Sequence, residues 1–142
     1  MAYTIIEVEK LTGISSHTLR FWAKKGLFPF VQKDSNQVKY FANSDVEWAK
    51  LIECMRIVGM SIEDIKEYIA LCQKGIESAE QRREMLQKQK EQTIQKIQTF
   101  TQALHRLEGK IAYYDEMIEQ SQDPLNPLTA ETPNQCWKKV KK

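Results

Sequence analysis

Apolar residues recur at helical spacing through most of the chain, in blocks that open at a capping side chain and close at a glycine. Thr4 with Glu7 makes a capping box ahead of Ile5, Val8, Leu11 and Thr12, which share one helical face, and Gly13 closes that helix. Ser15 or Ser16 can cap a second helix ending at Gly26, with Leu19 turned inward and Trp22 or Ala23 beside it one turn on. Ser44 with Glu47 opens a third helix running to Gly59. Ser61 with Asp64 opens a fourth that ends near Gly75, and Ser78 with Gln81 a fifth. Between Phe28 and Ala42 the period changes. Phe30-Val31 and Val38-Lys-Tyr-Phe41 are β-prone runs flanking Lys33-Asp-Ser-Asn36, which is turn chemistry, so a short β-hairpin is predicted there. A hairpin of this length holds only when packed against helices.

From Ser78 to Gln120 the chain has no proline and one glycine, Gly109. Its apolar residues fall into heptads, with Ile97, Leu104, Ile111 and Ile118 at a and Leu86, Phe100, Leu107 and Tyr114 at d, while Lys90 and Thr93 interrupt the early seam. A helix of about 40 residues spans roughly 60 Å. A small domain can cover only a short part of it, so a second copy of the chain is the expected partner and Ile97 to Ile118 the expected dimerisation seam. Gly109 falls at f, on the outside. The expected fold is mainly α: a winged helix-turn-helix domain over residues 1–75, a long dimerisation helix over 76–121, and a tail over 122–142. Three prolines and no periodicity after Asp123 mark that tail as flexible or ordered only by docking.

Charge changes the picture through its distribution. The net charge is +2, but through Ala42 the basic residues Lys10, Arg20, Lys24, Lys25, Lys33 and Lys39 face only Glu7, Glu9 and Asp34. Positive charge gathered on the first module suits a phosphate partner. No apolar run approaches the ~20 residues of a membrane span, and no secretory signal is visible. Cys54, Cys72 and Cys136 are too irregularly spaced for a disulfide framework, which suits a reduced cytoplasmic setting. His17 and His105 are the only histidines, with no Gly-rich phosphate loop and no Ser–His pairing in view, so an enzyme is not expected. No cofactor and no metal centre are expected either.

The second helix leaves Ser16, His17, Thr18, Arg20, Phe21 and Lys24 outward or on its flank, as a recognition helix does. His17 and Thr18 are placed for base edges and Arg20 for phosphate. Thr4, Ser15, Trp22, Lys33, Lys39 and Tyr40 complete the expected DNA-facing set. The runs Thr4-Ile-Ile-Glu-Val, Leu11-Thr-Gly-Ile-Ser, Thr18-Leu-Arg-Phe-Trp, Lys25-Gly-Leu-Phe-Pro, Val38-Lys-Tyr-Phe, Asp45-Val-Glu-Trp and Gly59-Met-Ser-Ile-Glu-Asp-Ile together closely resemble the MerR family of bacterial transcription regulators. Two departures stand out. Phe21-Trp22 replaces the family's usual Tyr-Tyr or Tyr-Trp, which removes a phenol, and Lys39 stands where a wing arginine is usual, which removes a bidentate contact.

The resemblance implies a homodimer joined by an antiparallel coil, reading a pseudo-palindromic promoter element and bending and untwisting the spacer before RNA polymerase. It also implies a sensor. The chain lacks the cysteines that a metal-sensing relative carries at the start and end of the dimerisation helix. Cys54, in Leu51-Ile-Glu-Cys-Met-Arg-Ile with Lys50 and Arg56 nearby, resembles the cysteine of the aldehyde- or nitrosative-stress-responsive branch (the AdhR or NmlR type). By its residues alone Cys54 reads rather as an inert core thiol, and only the resemblance brings the sensor reading level with that one. Cys72 reads as packing, and Cys136 as an exposed thiol without a signalling role. The competing function is an effector-independent architectural DNA-bending or excision-type protein.

Overall fold

Thr4 and Glu7 cap each other at the first helix. The Thr4 N–H donates to the Glu7 carboxylate at 2.7 Å and the Glu7 N–H to Thr4 Oγ1 at 3.4 Å. The computed structural model describes residues 1–120, so the expected tail, with Cys136, lies outside the described residues. Helix α1 covers Ile5–Thr12 and ends where Gly13 turns left-handed (φ 76) and donates to the Glu9 carbonyl at 2.8 Å. Helix α2 covers Ser16–Lys24 and is capped by Ser15, whose Oγ accepts the Thr18 N–H at 3.1 Å. The hairpin follows as β1 (Gln32–Lys33) antiparallel to β2 (Lys39–Tyr40), with Gln32 opposite Tyr40 and Lys33 opposite Lys39. Helices α3 (Asn43–Ile57) and α4 (Ile62–Gln73), a 3-10 turn (Gly75–Ser78) and α5 (Ala79–Gln120) complete the described residues. The fold is a mainly helical winged helix-turn-helix module with a long C-terminal helix.

Four local expectations are corrected. The first strand is Gln32–Lys33, not Phe30-Val31, because the Val31 N–H turns back to the Phe28 carbonyl (3.3 Å) and delays the ladder. Helix α3 starts at Asn43, ahead of Ser44, because Asp45 rather than Glu47 reaches back and accepts the Ala42 N–H at 2.8 Å. Leu11 is exposed, since a two-turn helix turns only Val8 fully inward. Ser78 does not cap α5 with Gln81. Its hydroxyl is buried, donates to the carbonyls of Leu71 and Gly75, and accepts from Arg82 Nε at 3.1 Å. Arg82 also donates to the Gly75 carbonyl at 2.8 Å, so α4, the 3-10 turn and α5 are tied by one polar knot.

Two compact units divide within α5: Met1–Thr93, and a second beginning at Ile94. The first unit runs past residue 75 because the opening turns of α5 pack back onto it. Met85 lies against the core, and Gln89 Nε2 donates to the Val58 carbonyl at 2.9 Å. The core of this unit joins Val8, Leu19, Trp22, Phe28, Phe41 and Ile52 with residues of α4. Trp48 links its parts, donating from Nε1 to the Leu27 carbonyl (3.1 Å) while its ring stacks on Tyr68 at 6.0 Å. Burial pushes the Tyr68 phenol pKa up; neighbouring Cys72 adds to the rise and Arg82 opposes it. In the second unit no residue of α5 is buried. The seam residues stay open, from 44% exposed at Tyr114 to 75% at Phe100.

Candidate nucleic-acid interface

The turn between α1 and α2 fixes how α2 is presented, and it does so with side chains rather than with glycine alone. Thr12 Oγ1 donates to the Val8 carbonyl (2.8 Å) and accepts the Ile14 N–H (3.1 Å), while Ile14 is itself buried. Glu9 reaches across the turn and accepts the Ser16 N–H at 2.9 Å. Helix α2 is thus anchored at its N-terminus from α1 and by its buried side chains Leu19 and Trp22. An element held this way keeps its outer side chains in register with a groove at little further ordering cost.

Those outer side chains are largely the ones expected. His17, Arg20, Phe21 and Lys24 are exposed, and Ser16 and Thr18 half-exposed. The Thr18 hydroxyl is engaged locally, accepting from Ser15 Oγ at 2.8 Å, which leaves His17 the freer of the two side chains expected at base edges. Thr4 Oγ1 is likewise committed to Glu7, at 3.2 Å. Arg20 lies a long 3.5 Å from Ser16 Oγ, an exposed contact that a phosphate can displace. Of the aromatic pair, Trp22 belongs to the core and Phe21 is 45% exposed. Sequence reasoning missed Lys25. Its ammonium stands 5.6 Å from the Phe21 ring centroid, a cation–π contact that fixes a positive charge at the end of α2. Its position just past the helix hid it, since only the face of α2 was read.

The wing carries the second positive feature. Lys33 and Lys39 are direct cross-strand partners, and neither makes an ion pair among the described residues. Like charges placed opposite each other on a ladder cost stability unless an anion lies between them. The turn that brings them together is held by Asp34, whose Oδ1 accepts the N–H groups of Asn36 (2.8 Å) and Val38 (3.0 Å), with Gln37 in the left-handed region at φ 64. Tyr40 beside them is exposed. The wing is seated by its neighbour Phe41, which exchanges two 2.8 Å backbone hydrogen bonds with Tyr3 and buries its ring edge-on against Phe28 at 5.3 Å.

Cys54 lies on the outer side of α3 and is exposed, so the reading of it as a core thiol is corrected. Ala49, Ile52 and Met55 form the inward face, and Cys54 sits off it. Lys50 and Arg56, expected beside the thiol, are directed elsewhere: Lys50 pairs with Glu47 at 2.8 Å and Arg56 donates to the Met60 carbonyl at 2.8 Å. What Cys54 does share is position. Its carbonyl accepts the Val58 N–H, and the Val58 carbonyl in turn accepts from Gln89 of α5. Cys72 is half-buried against the core with Arg82 at 3.9 Å from its sulfur, as packing requires. Among the described residues no group of His, Cys, Asp and Glu could hold a metal ion, and no helix is long and apolar enough to cross a membrane.

Comparison with known proteins agrees with this geometry. Residues 3–72 match the family model described as MerR HTH family regulatory protein, and residues 46–110 match the model described as MerR, DNA binding. An uncharacterized HTH-type transcriptional regulator of Haemophilus influenzae is 33% identical over 116 residues, covering 82% of this chain and 86% of its own. The HTH-type transcriptional regulator AdhR of Bacillus subtilis is 32% identical over 91 residues, covering 64% and 65%. Among solved structures, that of HiNmlR, described as a MerR family regulator lacking the sensor domain, bound to promoter DNA, superposes with a TM-score of 0.78. It shares 31% identity over 86% of this chain and 97% of its own.

Proposed function

The chain belongs to the MerR family of helix-turn-helix transcriptional regulators, in the AdhR- and NmlR-like branch, and from that premise we propose that it works as a homodimer which reads a pseudo-palindromic promoter element and is switched at Cys54. It is a DNA-binding regulator, not an enzyme. The observation that carries the proposal is the pairing of an anchored α2 and a doubly charged wing on one unit with an uncovered apolar seam on α5. Residues 1–75 would read DNA and 76–121 hold two readers at a set separation, so that bending and untwisting the spacer aligns the promoter for RNA polymerase. HiNmlR is bound to promoter DNA in its solved structure; the transfer of that ligand here rests on the likeness and on the basic surface of α2 and the wing.

Arg20, Lys24, Lys25, Lys33 and Lys39 of two protomers supply the phosphate contacts, so affinity should fall steeply with salt. The expected loss is roughly 10³–10⁵-fold between ~50 and ~200 mM monovalent salt, read by fluorescence anisotropy on a promoter fragment. Lys33→Ala should lower the salt slope by about one per protomer while leaving sequence preference intact. A slope near zero for the natural chain would remove the phosphate-grip reading.

At Cys54 the proposed chemistry is addition of the sulfur to an aldehyde carbonyl carbon. The S–C bond forms as the C=O π pair moves to oxygen, and the thiol proton ends on that oxygen, giving a hemithioacetal. Added bulk at Cys54 would bear on the turn through which Val58 meets Gln89, and so on how α5 leaves the reader. Cys54→Ser should keep operator affinity within about twofold, since an exposed substitution costs at most ~0.5 kcal/mol, and lose the transcriptional response to formaldehyde in a reconstituted promoter assay. A Ser variant that still responds removes Cys54 as the sensor and leaves the regulator assignment standing.

A further inference from the structure

We infer that the trough between α4 and the opening turns of α5 is a binding site for a linear aliphatic polyamine. The site is built from other residues than α2, the wing and Cys54, and it adds a ligand to the DNA-reading function. Two cavities of about 310 and 320 Å³ make up the trough, and they run together because Glu67, Met85 and Lys88 wall both. All of their lining falls within the first compact unit. The floor is apolar: Met60 is buried, and Leu71 and Met85 are half-buried. The rim is charged. Helix α4 contributes Asp64 and Glu67, spaced i,i+3 and so neighbours on one face, while α5 contributes Glu84 and Lys88. All four are exposed, and among the described residues none of them makes an ion pair, although Lys66 and Glu63 of the same α4 do. Carboxylates alone would be no more than an acidic surface. Here they stand over a methionine-lined cleft whose width their own side chains do not close.

Each feature narrows the occupant. Three carboxylates against one ammonium favour a ligand with more than one positive charge. A bare metal ion does not fit, because no group of His, Cys, Asp and Glu among the described residues is tight enough to hold one. No lining side chain is aromatic, so a flat aromatic cation finds no ring to stack on. Methionine and leucine suit methylene spans instead, which leave water for the floor while ammonium groups stay at the wet rim. From Asp64 to Leu71 the trough follows α4 for about 10.5 Å, which calls for a long, narrow molecule. Gln89, which commits its Nε2 to the Val58 carbonyl and to Thr93, keeps Oε1 as an acceptor for an inner N–H of the ligand. The chain as a whole carries +2, so attraction of a polycation is a property of this trough rather than of the protein's net charge.

The position gives the ligand a lever. Met60 belongs to the core, Met85 packs on it, and Gln89 ties α5 to the end of α3 at 2.9 Å. A polyamine laid along the trough bridges α4 and α5 at that joint, and by binding the folded unit alone it raises the unit's melting temperature.

The test titrates spermidine into the full chain without DNA at ~50 mM salt, where exposed charges are only partly screened. Calorimetry should show one saturable site per protomer. Asp64→Asn with Glu67→Gln removes two exposed charge contacts, each good for at most about fivefold, and should weaken binding roughly tenfold. Glu63→Gln with Glu77→Gln, which removes the same charge outside the trough, should leave binding as it was. Both variants alter exposed side chains and should melt like the natural chain in the absence of ligand. The five methionines supply a second readout. With their methyl groups labelled for NMR, Met60 and Met85 should shift with spermidine while Met1 and Met117 stay in place. Absence of saturable binding overturns the site, as does equal weakening by the two pairs of substitutions, unmoved Met60 and Met85 signals, or competition by magnesium at matched charge. Operator affinity of the Asp64→Asn, Glu67→Gln chain, measured without polyamine, should match that of the natural chain, so failure of this site leaves the DNA-reading proposal to stand or fall on its own tests.

Discussion

Phe41→Ala is expected to destabilise the reader severely. The ring is fully buried and meets Phe28 edge-on, and Phe28 in turn lies 6.5 Å from Trp22 on the inner face of α2. A Phe→Ala change at such a site costs about 3–5 kcal/mol, the transfer of the ring plus the cavity left behind. Against a total stability of ~5–15 kcal/mol this is a large fraction. For a unit of this size the midpoint of thermal unfolding should drop by roughly 15 °C or more, followed by circular dichroism. The cavity would open under the wing, whose short ladder begins one residue before Phe41, so operator binding should fail with the fold. Phe21→Ala is the control that separates packing from recognition. Phe21 is 45% exposed and carries Lys25 over its ring, so its loss should move the melt far less and should weaken DNA binding. Equal melts for the two variants would mean that the wing is not seated by Phe41.

These two phenylalanines also show what the sequence could disclose. The caps at Thr4, Ser15 and Ser61, the stops at Gly13 and Gly59 and the inward pair Leu19 and Trp22 obey rules that act within a few residues, and all are present. Ser78 obeyed the same capping pattern and was misleading. Its hydroxyl answers to Leu71 and Arg82, and no local rule foresees a partner on another element. Glu9 on the Ser16 amide is legible only once the turn is folded, for the same reason. At helical spacing Cys54 shares a face with Leu51 and Val58, both half-buried, and that face makes it read as a core thiol. The inward stripe in fact runs through Ala49, Ile52 and Met55, about a residue's rotation away, and that was enough to carry the thiol to the surface. The lysine pair of the wing needed the strand register, which the two-residue shift of the first strand past Phe30-Val31 sets.

The seam calls for the opposite experiment, one that leaves the reader folded and removes the dimer. Leu104→Asp with Leu107→Asp should give a monomer by sedimentation, because both positions lie in the exposed seam beyond the first compact unit. Pairing would have to bury carboxylates where each leucine, fully buried, contributes about 1.5–3 kcal/mol. Both positions lie near the middle of the seam between Ile97 and Ile118, which makes them more damaging than Ile118 at its end. Two readers joined by a coil bind the second half-site intramolecularly, and losing that link costs roughly 10²–10⁴ in affinity for the full element. Affinity for an isolated half-site should be unchanged, as should the thermal melt of the reader. That split distinguishes the variant from Phe41→Ala, which loses both. If the double aspartate chain still bound the full element at natural affinity, the separation of the readers would not be set by α5. Spacer distortion would then need some other source, because a reader free to bind each half-site alone exerts no force on the DNA between them.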